Sequence, residues 1–259
     1  WPLPSENVTI IKELVMEQLK LGHIKPSHSP WNTPIFTIQK KSGKWRLLHD
    51  LRAINDVMQS IGALQSGLPS LLMPTMLPQN WPLLVIDLKD CFFSIPLQPN
   101  DWEKFAFLIP TVNRAAPSKR YHWMVLPQGM KNSPTICQWY VDQALKPYRQ
   151  AHPHHIVYHY MDDIVICAKN LNSDQTIQEL LPQLESWGLK IAPQKIKKIS
   201  PRKYLGLQVI DSQIRPLPTT IPATFSTLHE VQTLVGSIQW TQPIAGLSNN
   251  DLDPLYQLL

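Results

Sequence analysis

The sequence predicts an α+β fold. Two pairs of β-type runs, each joined by a short polar turn, predict antiparallel hairpins: Ile35–Ile38 with Trp45–Leu48, and His155–His159 with Ile164–Ala168. Set apart from them are stretches with apolar residues at helical spacing, chiefly Val8–Gly22, Ser133–Leu145, Ser173–Gly188 and Ser226–Trp240. The third observation is Trp81–Ile86, an apolar run of strand length and therefore a buried strand.

The 259 residues allow one large domain or two to three small ones. With 43% hydrophobic and 17% charged residues the chain is globular and not disordered. The net charge of +5 fits a polyanionic partner. Cys91, Cys137 and Cys167 are dispersed in apolar contexts, as reduced core thiols of an intracellular protein are. No apolar run reaches membrane-spanning length and the start shows no signal peptide, so no membrane association is expected. The 25 prolines with only nine glycines punctuate short elements and do not form low-complexity linkers.

Taken in order, Ser5 is the expected N-cap of the first helix. Its apolar stripe, Ile11, Leu14, Val15 and Leu19, has one polar break at Gln18, and Gly22 stops it. His23–Pro34 reads as a proline-broken loop. The first hairpin turns through Lys40-Lys41-Ser42-Gly43-Lys44, a basic tip suited either to solvent or to clasping phosphates. Leu51–Met58 is loop or short helix, and a helix is expected within Leu64–Pro78. The strand Trp81–Ile86 ends in Asp87. Phe105–Ile109 and Tyr121–Val125 form another strand pair around a polar, basic linker, Pro110–Arg120. Ser133 caps the next helix, with Pro134 at N1. Ser173 caps the helix that Gly188 stops. Lys203–Val209 precedes a loose stretch from Asp211 to Pro222, read as a domain linker. The last full helix is amphipathic through Leu228, Val231, Leu234, Val235 and Ile238, and Asn249–Leu259 begins another that stops without a cap.

Chemistry concentrates in the acids. Asp162 and Asp163 sit side by side at a hairpin tip between apolar strands, where mutual repulsion and burial cost several kcal/mol unless cations compensate. Taken alone, the pair also fits a plain polar turn. If the hairpin lies beside the strand bearing Asp87, three carboxylates converge. That set suits two Mg²⁺ ions about 3.5–4 Å apart, with Mn²⁺ as substitute, for in-line phosphoryl transfer. His152, His154, His155 and His159 lack a second ligand group at zinc spacing and read as turn and strand residues. Lys195, Lys197 and Lys198 form a short basic run of the kind that is usually a solvated face.

Read together, the motifs resemble retroviral reverse transcriptases. They stand in order: Trp1-Pro2-Leu3, Pro30-Trp31-Asn32-Thr33-Pro34, Lys40-Lys41-Ser42-Gly43-Lys44-Trp45-Arg46, Asp50-Leu51-Arg52-Ala53-Ile54-Asn55, Asp87-Leu88-Lys89-Asp90-Cys91-Phe92-Phe93, Leu126-Pro127-Gln128-Gly129-Met130, Ser133-Pro134, Tyr160-Met161-Asp162-Asp163, Trp187-Gly188-Leu189, Tyr204-Leu205-Gly206 and Leu234-Val235-Gly236. The likeness covers nearly the whole chain, and its wording is similar to betaretroviruses and K-like endogenous retroviruses. It implies a right-hand polymerase core. Fingers would span 1–59 and 95–132, palm 60–94 and 133–211, and a partial thumb 212–259, without connection or ribonuclease H parts.

The resemblance also implies roles. Asp87, Asp162 and Asp163 match the catalytic, metal-binding acids, and Lys195 matches a general acid toward the leaving pyrophosphate. Lys40 and Arg46 match residues that grip the triphosphate, as a point charge and a planar fork. Asp90 and Cys91 fall at the nucleotide site, Gln128 matches a residue at the sugar side, and Phe92 matches the ring that excludes a 2′-hydroxyl. Tyr160, Met161, Tyr204, Leu205 and Gly206 match primer-positioning segments. Gln232, Gly236 and Trp240 share one helical face and match the thumb's duplex track; core packing is the alternative for Trp240.

The expected activity is RNA- or DNA-templated addition of deoxynucleotides to a primer 3′-hydroxyl. The expected partners are a template–primer duplex, dNTPs, and a second copy or a longer Pol form in a homo- or heterodimer. The expected location is the cytoplasm or a virion. Two other readings stay open: a catalytically idle nucleic-acid-binding or dimer-partner chain, and an RNA-dependent RNA polymerase, which Phe92 and Tyr160 disfavour.

Overall fold

The computed structural model describes residues 5–40, 43–62, 77, 78, 80–109, 118–198, 202–204, 206–210, 213–218 and 224–259. The chain divides into two compact units, residues 1–64 with 90–140, and residues 65–89 with 141–259.

In the first unit, α1 (Ser5–Lys20) buries Val8, Ile11 and Val15 and ends at Gly22, whose φ of +73° only glycine adopts freely. β2 (Ile35–Gln39) and β3 (Trp45–His49) form the expected hairpin, paired from Ile35↔His49 to Gln39↔Trp45. α2 (Arg52–Val57) follows. A second sheet has the order β1-β6-β5, from β1 (Ile24–Pro26), β5 (Ala106–Leu108) and β6 (Arg120–Trp123). β1 corrects the loop expected over His23–Pro34: its three residues pair antiparallel with β6, from Ile24↔Trp123 to Pro26↔Tyr121. Pro26 carries no N–H, so it suits the end of an edge strand. Cys91–Ser94 and Pro99–Phe105 are 3-10 turns.

α3 (Ser133–Ala151) begins as expected, but Ser133 is not its cap. The Ser133 hydroxyl donates to the Pro127 carbonyl at 2.9 Å, and Asn132 precedes the helix, its carbonyl accepting from Ile136 N. The Asn132 side chain is engaged elsewhere, donating to Gln59 O and accepting from Ile61 N.

The second unit is built on a four-stranded antiparallel sheet of order β7-β8-β4-β9. Its strands are β4 (Leu83–Lys89), β7 (Ile156–Tyr160), β8 (Asp163–Cys167) and β9 (Lys190–Ile191). Leu84, Val85, Ile86, Ile164 and Ile166 are almost fully buried, the expected outcome for strands apolar on both faces. α4 (Ser173–Ser186) is capped by Asn172, not Ser173: the Asn172 carboxamide oxygen accepts from Asp174 N and Gln175 N at 3.2 Å.

A three-stranded sheet follows, β10 (Arg202–Tyr204), β11 (Leu207–Ile210) and β12 (Gln213–Pro216). β12 corrects the loose linker expected from Asp211; its Ile214 pairs with Val209 in the ladder with β11. α5 (Leu228–Ala245) starts from a Thr227–Glu230 capping box, and α6 (Asn249–Tyr256) from a Ser248–Asp251 box. Leu234 and Ile238 pack with Leu252 between these two helices. No helix among the described residues is long and apolar enough to cross a membrane. The helix expected within Leu64–Pro78 and most of the Pro110–Arg120 linker lie outside the described residues.

Candidate active site

The second unit brings the three acids to one edge. Antiparallel pairing of β4 with β8 sets Asp87 opposite Asp163, one step beyond Ile86↔Ile164. Asp87 lies inside β4, which continues to Lys89, and not at its end. The β7–β8 turn consists of Met161 and Asp162, closed by the pair Tyr160↔Asp163. Met161 takes a left-handed φ of 50°, uncommon for a non-glycine residue and of the kind that gathers at functional sites. Leu88 N donates to Asp162 O at 2.8 Å, pinning the turn to the central strand.

Lys195 completes this edge. After β9, Ala192 N donates to Asp87 O at 2.9 Å, and Lys197 exchanges backbone hydrogen bonds with Val85. The 3-10 turn Pro193–Lys195 between them is thus fixed beside β4. Lys195 Nζ donates to both Asp87 carboxylate oxygens, at 2.8 and 2.9 Å. The pair is unequally exposed, 54% for the lysine and 17% for the aspartate, so solvent reaches it from the lysine side.

The electrostatics are those of crowded acids. Burial first, then the Asp162 and Asp87 charges, push the Asp163 carboxyl up to about 6. Burial and then Asp87 also raise Asp162. The bonds to Asp87 make Lys195 hold its proton more tightly than an ordinary lysine. Hard carboxylate oxygens whose mutual repulsion Lys195 and Lys197 only partly offset are the donor set a divalent cation fits, and Mg²⁺ completes its shell with phosphate and water. Among the described residues no three His, Cys, Asp or Glu side chains are grouped closely enough to hold an ion by themselves. Asp87 is instead engaged by Lys195.

The first unit assembles a different set. Lys40, Arg46, Asp90 and Gln128 line one open cleft, together with Leu14, Glu17, Gln18, Trp45, Leu47, Phe93 and Trp123. Lys40 directly follows β2, and Arg46 lies in β3. Asp90 takes a left-handed φ of 49° at the turn where β4 gives way to Cys91–Ser94. The Gln128 turn is held by Asn55, which donates to Gly129 O at 2.8 Å and accepts from Lys131 N at 2.8 Å. Gly129 has φ +92°, open only to glycine at low cost.

Three expectations look different in place. Cys91 is buried, its Sγ 3.2 Å from Cys137 Sγ, and does not line the cleft. Phe92 is half-buried, while its neighbour Phe93 forms the cleft wall, stacked on Trp123 at 5.3 Å and on His23 at 5.1 Å. Tyr204 is 3% exposed and cannot itself lie on a primer.

Gly206, with φ +75°, is exposed at the β10–β11 turn; Leu205 lies outside the described residues. Gln232 and Gly236 are exposed on α5, opposite its buried face, and a Cβ at Gly236 would meet open space. The Trp240 side chain lies outside the described part. His152 and His155 stack at 4.7 Å, with His152 bonded to Glu179 and His155 to Tyr148, so they are structural.

Glu17, Gln18, Trp45 and Trp123 were not singled out by the sequence as cleft residues. Only Gln18 leaves a signal, the polar break in the α1 stripe: its Oε1 accepts from His23 Nδ1 at 2.8 Å, and it lines the cleft.

Residues 38–209 match the family model described as reverse transcriptase (RNA-dependent DNA polymerase). The whole chain is 50% identical to the Pol-related polyprotein of the mouse intracisternal A-particle MIA14, covering 30% of that protein. It is 49% identical to the Gag-Pro-Pol polyprotein of simian retrovirus SRV-2, covering 15%, and 45% identical to the Gag-Pol polyprotein of Rous sarcoma virus subgroup C (strain Prague), covering 16%. The chain therefore spans less than a third of the length of these relatives.

Proposed function

Because the chain belongs to the reverse transcriptase (RNA-dependent DNA polymerase) family, we propose that it extends a primer on an RNA or DNA template by adding deoxynucleotides. The observation that carries this reading is the facing pair Asp87 and Asp163, with Asp162 beside it in the turn. The family is generally dependent on a divalent metal. Asp87, Asp162 and Asp163 are the residues to hold two Mg²⁺ ions, for which Mn²⁺ can substitute. Such ions, when bound, neutralise triphosphate charge and ease displacement at phosphorus.

The chain's own residues do the rest. Arg46 offers a planar fork and Lys40 a point charge to triphosphate oxygens, and the cleft they line collects the anion. Asp90 and Gln128, held by their turns, orient the sugar and phosphate groups. Phe92 leaves no room for a 2′-hydroxyl. Lys195 carries its proton at neutral pH and gives it to the departing pyrophosphate oxygen.

Tyr160, Met161, Leu205 and Gly206 position the primer end, and Gln232, Gly236 and Trp240 follow the duplex. Fingers are residues 1–59 and 95–132, palm 60–94 and 133–211, and thumb 212–259. The partners are a template–primer duplex, dNTPs and a homo- or heterodimer mate.

A second reading, a chain that binds duplex without turnover, draws on the absence of a closed carboxylate cluster among the described residues. Extension of oligo-dT on poly-rA with dTTP and Mg²⁺ separates the two. The expected result is extension by the wild type and none by Asp162→Asn. Salt-sensitive duplex binding with no extension at any enzyme concentration would favour the idle chain.

A further inference from the structure

We propose that Tyr204 is a positioning residue for Asp163: its buried hydroxyl is the donor that fixes that carboxylate in its cation-binding orientation. The inference rests on the reading of Asp87, Asp162 and Asp163 as the metal-binding set.

Strand alternation locates it. Leu83, Val85 and Asp87 share one face of β4, and Asp163, Val165 and Cys167 share one face of β8. The register joins them as Leu83↔Cys167, Val85↔Val165 and Asp87↔Asp163, so the facing acids continue an apolar row. Tyr204 packs in one core cluster with Leu83, Val85, Val165 and Cys167, together with Val209. It therefore lies against the row that ends in the two acids.

Its hydroxyl is out of place there as a packing group. Tyr204 is 3% exposed and its Oη has no hydrogen-bond partner. Leaving a buried hydroxyl unpaired is destabilising, and phenylalanine would avoid that cost at the same volume. Burial first, and the Asp163 charge second, raise this phenol far above the usual range, so Tyr204 stays a neutral donor. Asp163 in turn is a desolvated carboxylate beside two others and gains from any donor. The bond forms when the Asp163 carboxylate takes its cation-binding orientation, and partners of this kind set ligand geometry at metal sites.

The test compares wild type, Tyr204→Phe and Asp163→Asn in the full 259-residue chain. Binding of Mn²⁺ is followed by the loss of the free-ion paramagnetic resonance signal, and thermal stability by melting. Tyr204→Phe is expected to weaken Mn²⁺ binding about 10-fold while its Tm stays level or rises. Asp163→Asn is expected to lose the site. Wild-type affinity in Tyr204→Phe, with binding lost in Asp163→Asn, overturns the role of Tyr204 alone. Equal Mn²⁺ binding in wild type and Asp163→Asn overturns the metal-site reading and this proposal with it. A lower Tm accompanying weaker binding makes Tyr204 a packing residue and also overturns the proposal.

Discussion

Asp87 stands directly opposite Asp163 across the β4–β8 ladder. Directly opposed residues bring their Cβ atoms to about 4.5–5.5 Å, where like charges destabilise a sheet. Burial and these neighbours raise the Asp163 carboxyl to about 6. A raised acid favours the fold below its unfolded value of 3.8 and loses that contribution as pH rises through about 6. At neutral pH the acid pair therefore strains the metal-free chain. Asp163→Asn should stabilise it by about 1–2 kcal/mol after allowance for solvent screening, a Tm rise of about 2–6 °C. Melting in chelator at pH 7.5 checks this, and an unchanged or lower Tm contradicts it.

Lys195 meets Asp87 through two hydrogen bonds, yet is 54% exposed. An ion pair open to water contributes at most about 1 kcal/mol. Lys195→Ala should leave Tm nearly unchanged while slowing nucleotide addition about 100-fold, the scale of a lost general acid. Single-turnover rates across pH check it. A rate loss that merely follows a drop in Tm would reduce Lys195 to a structural ion pair.

His49 links stability to pH in the first unit. It is buried, bonded through Nε2 to the Thr33 hydroxyl, and its Nδ1 has no partner. Burial lowers it from 6.5 to about 4. Between those values the unfolded chain binds the extra proton, so stability falls as pH drops from 6.5 toward 4, by about 3 kcal/mol in all. Urea midpoints at pH 7.5 and 5 measure the loss. Magnetic resonance titration of the ring assigns it, and a ring titrating near 6.5 in the folded chain contradicts it.

Asn55 ties α2 to the turn that carries Gln128. Asn55→Ala removes both bonds, at about 1–3 kcal/mol, and frees that turn. The KM for dNTP should rise more than kcat falls. A change confined to kcat would place Asn55 in some other role.

How far the sequence carried this account depends on the range of each contact. The β2–β3 and β7–β8 hairpins were legible because β-branched runs flank short turns, and the acids' convergence followed once two strands shared a sheet. β1 was not legible: three residues ending in proline become a strand only through a partner at Tyr121–Trp123. Asn172 caps α4 in place of the adjoining Ser173, a choice local composition does not make. Lys40, Arg46, Asp90 and Gln128 were found by motif, while Trp45 and Trp123 joined them through tertiary packing that no spacing encodes. The motif places Tyr204 at the primer, whereas its burial against Val85 and Val165 turns it inward.

The central claim is that Asp87, Asp162 and Asp163 act as one cation-dependent site for nucleotide addition. The most direct measurement is single-nucleotide extension of a primer on an RNA template by the wild type and Asp87→Asn, with Mg²⁺ varied. The account predicts Mg²⁺-dependent addition of one deoxynucleotide by the wild type and none by Asp87→Asn, with both chains folded. Equal extension by the two chains would contradict it.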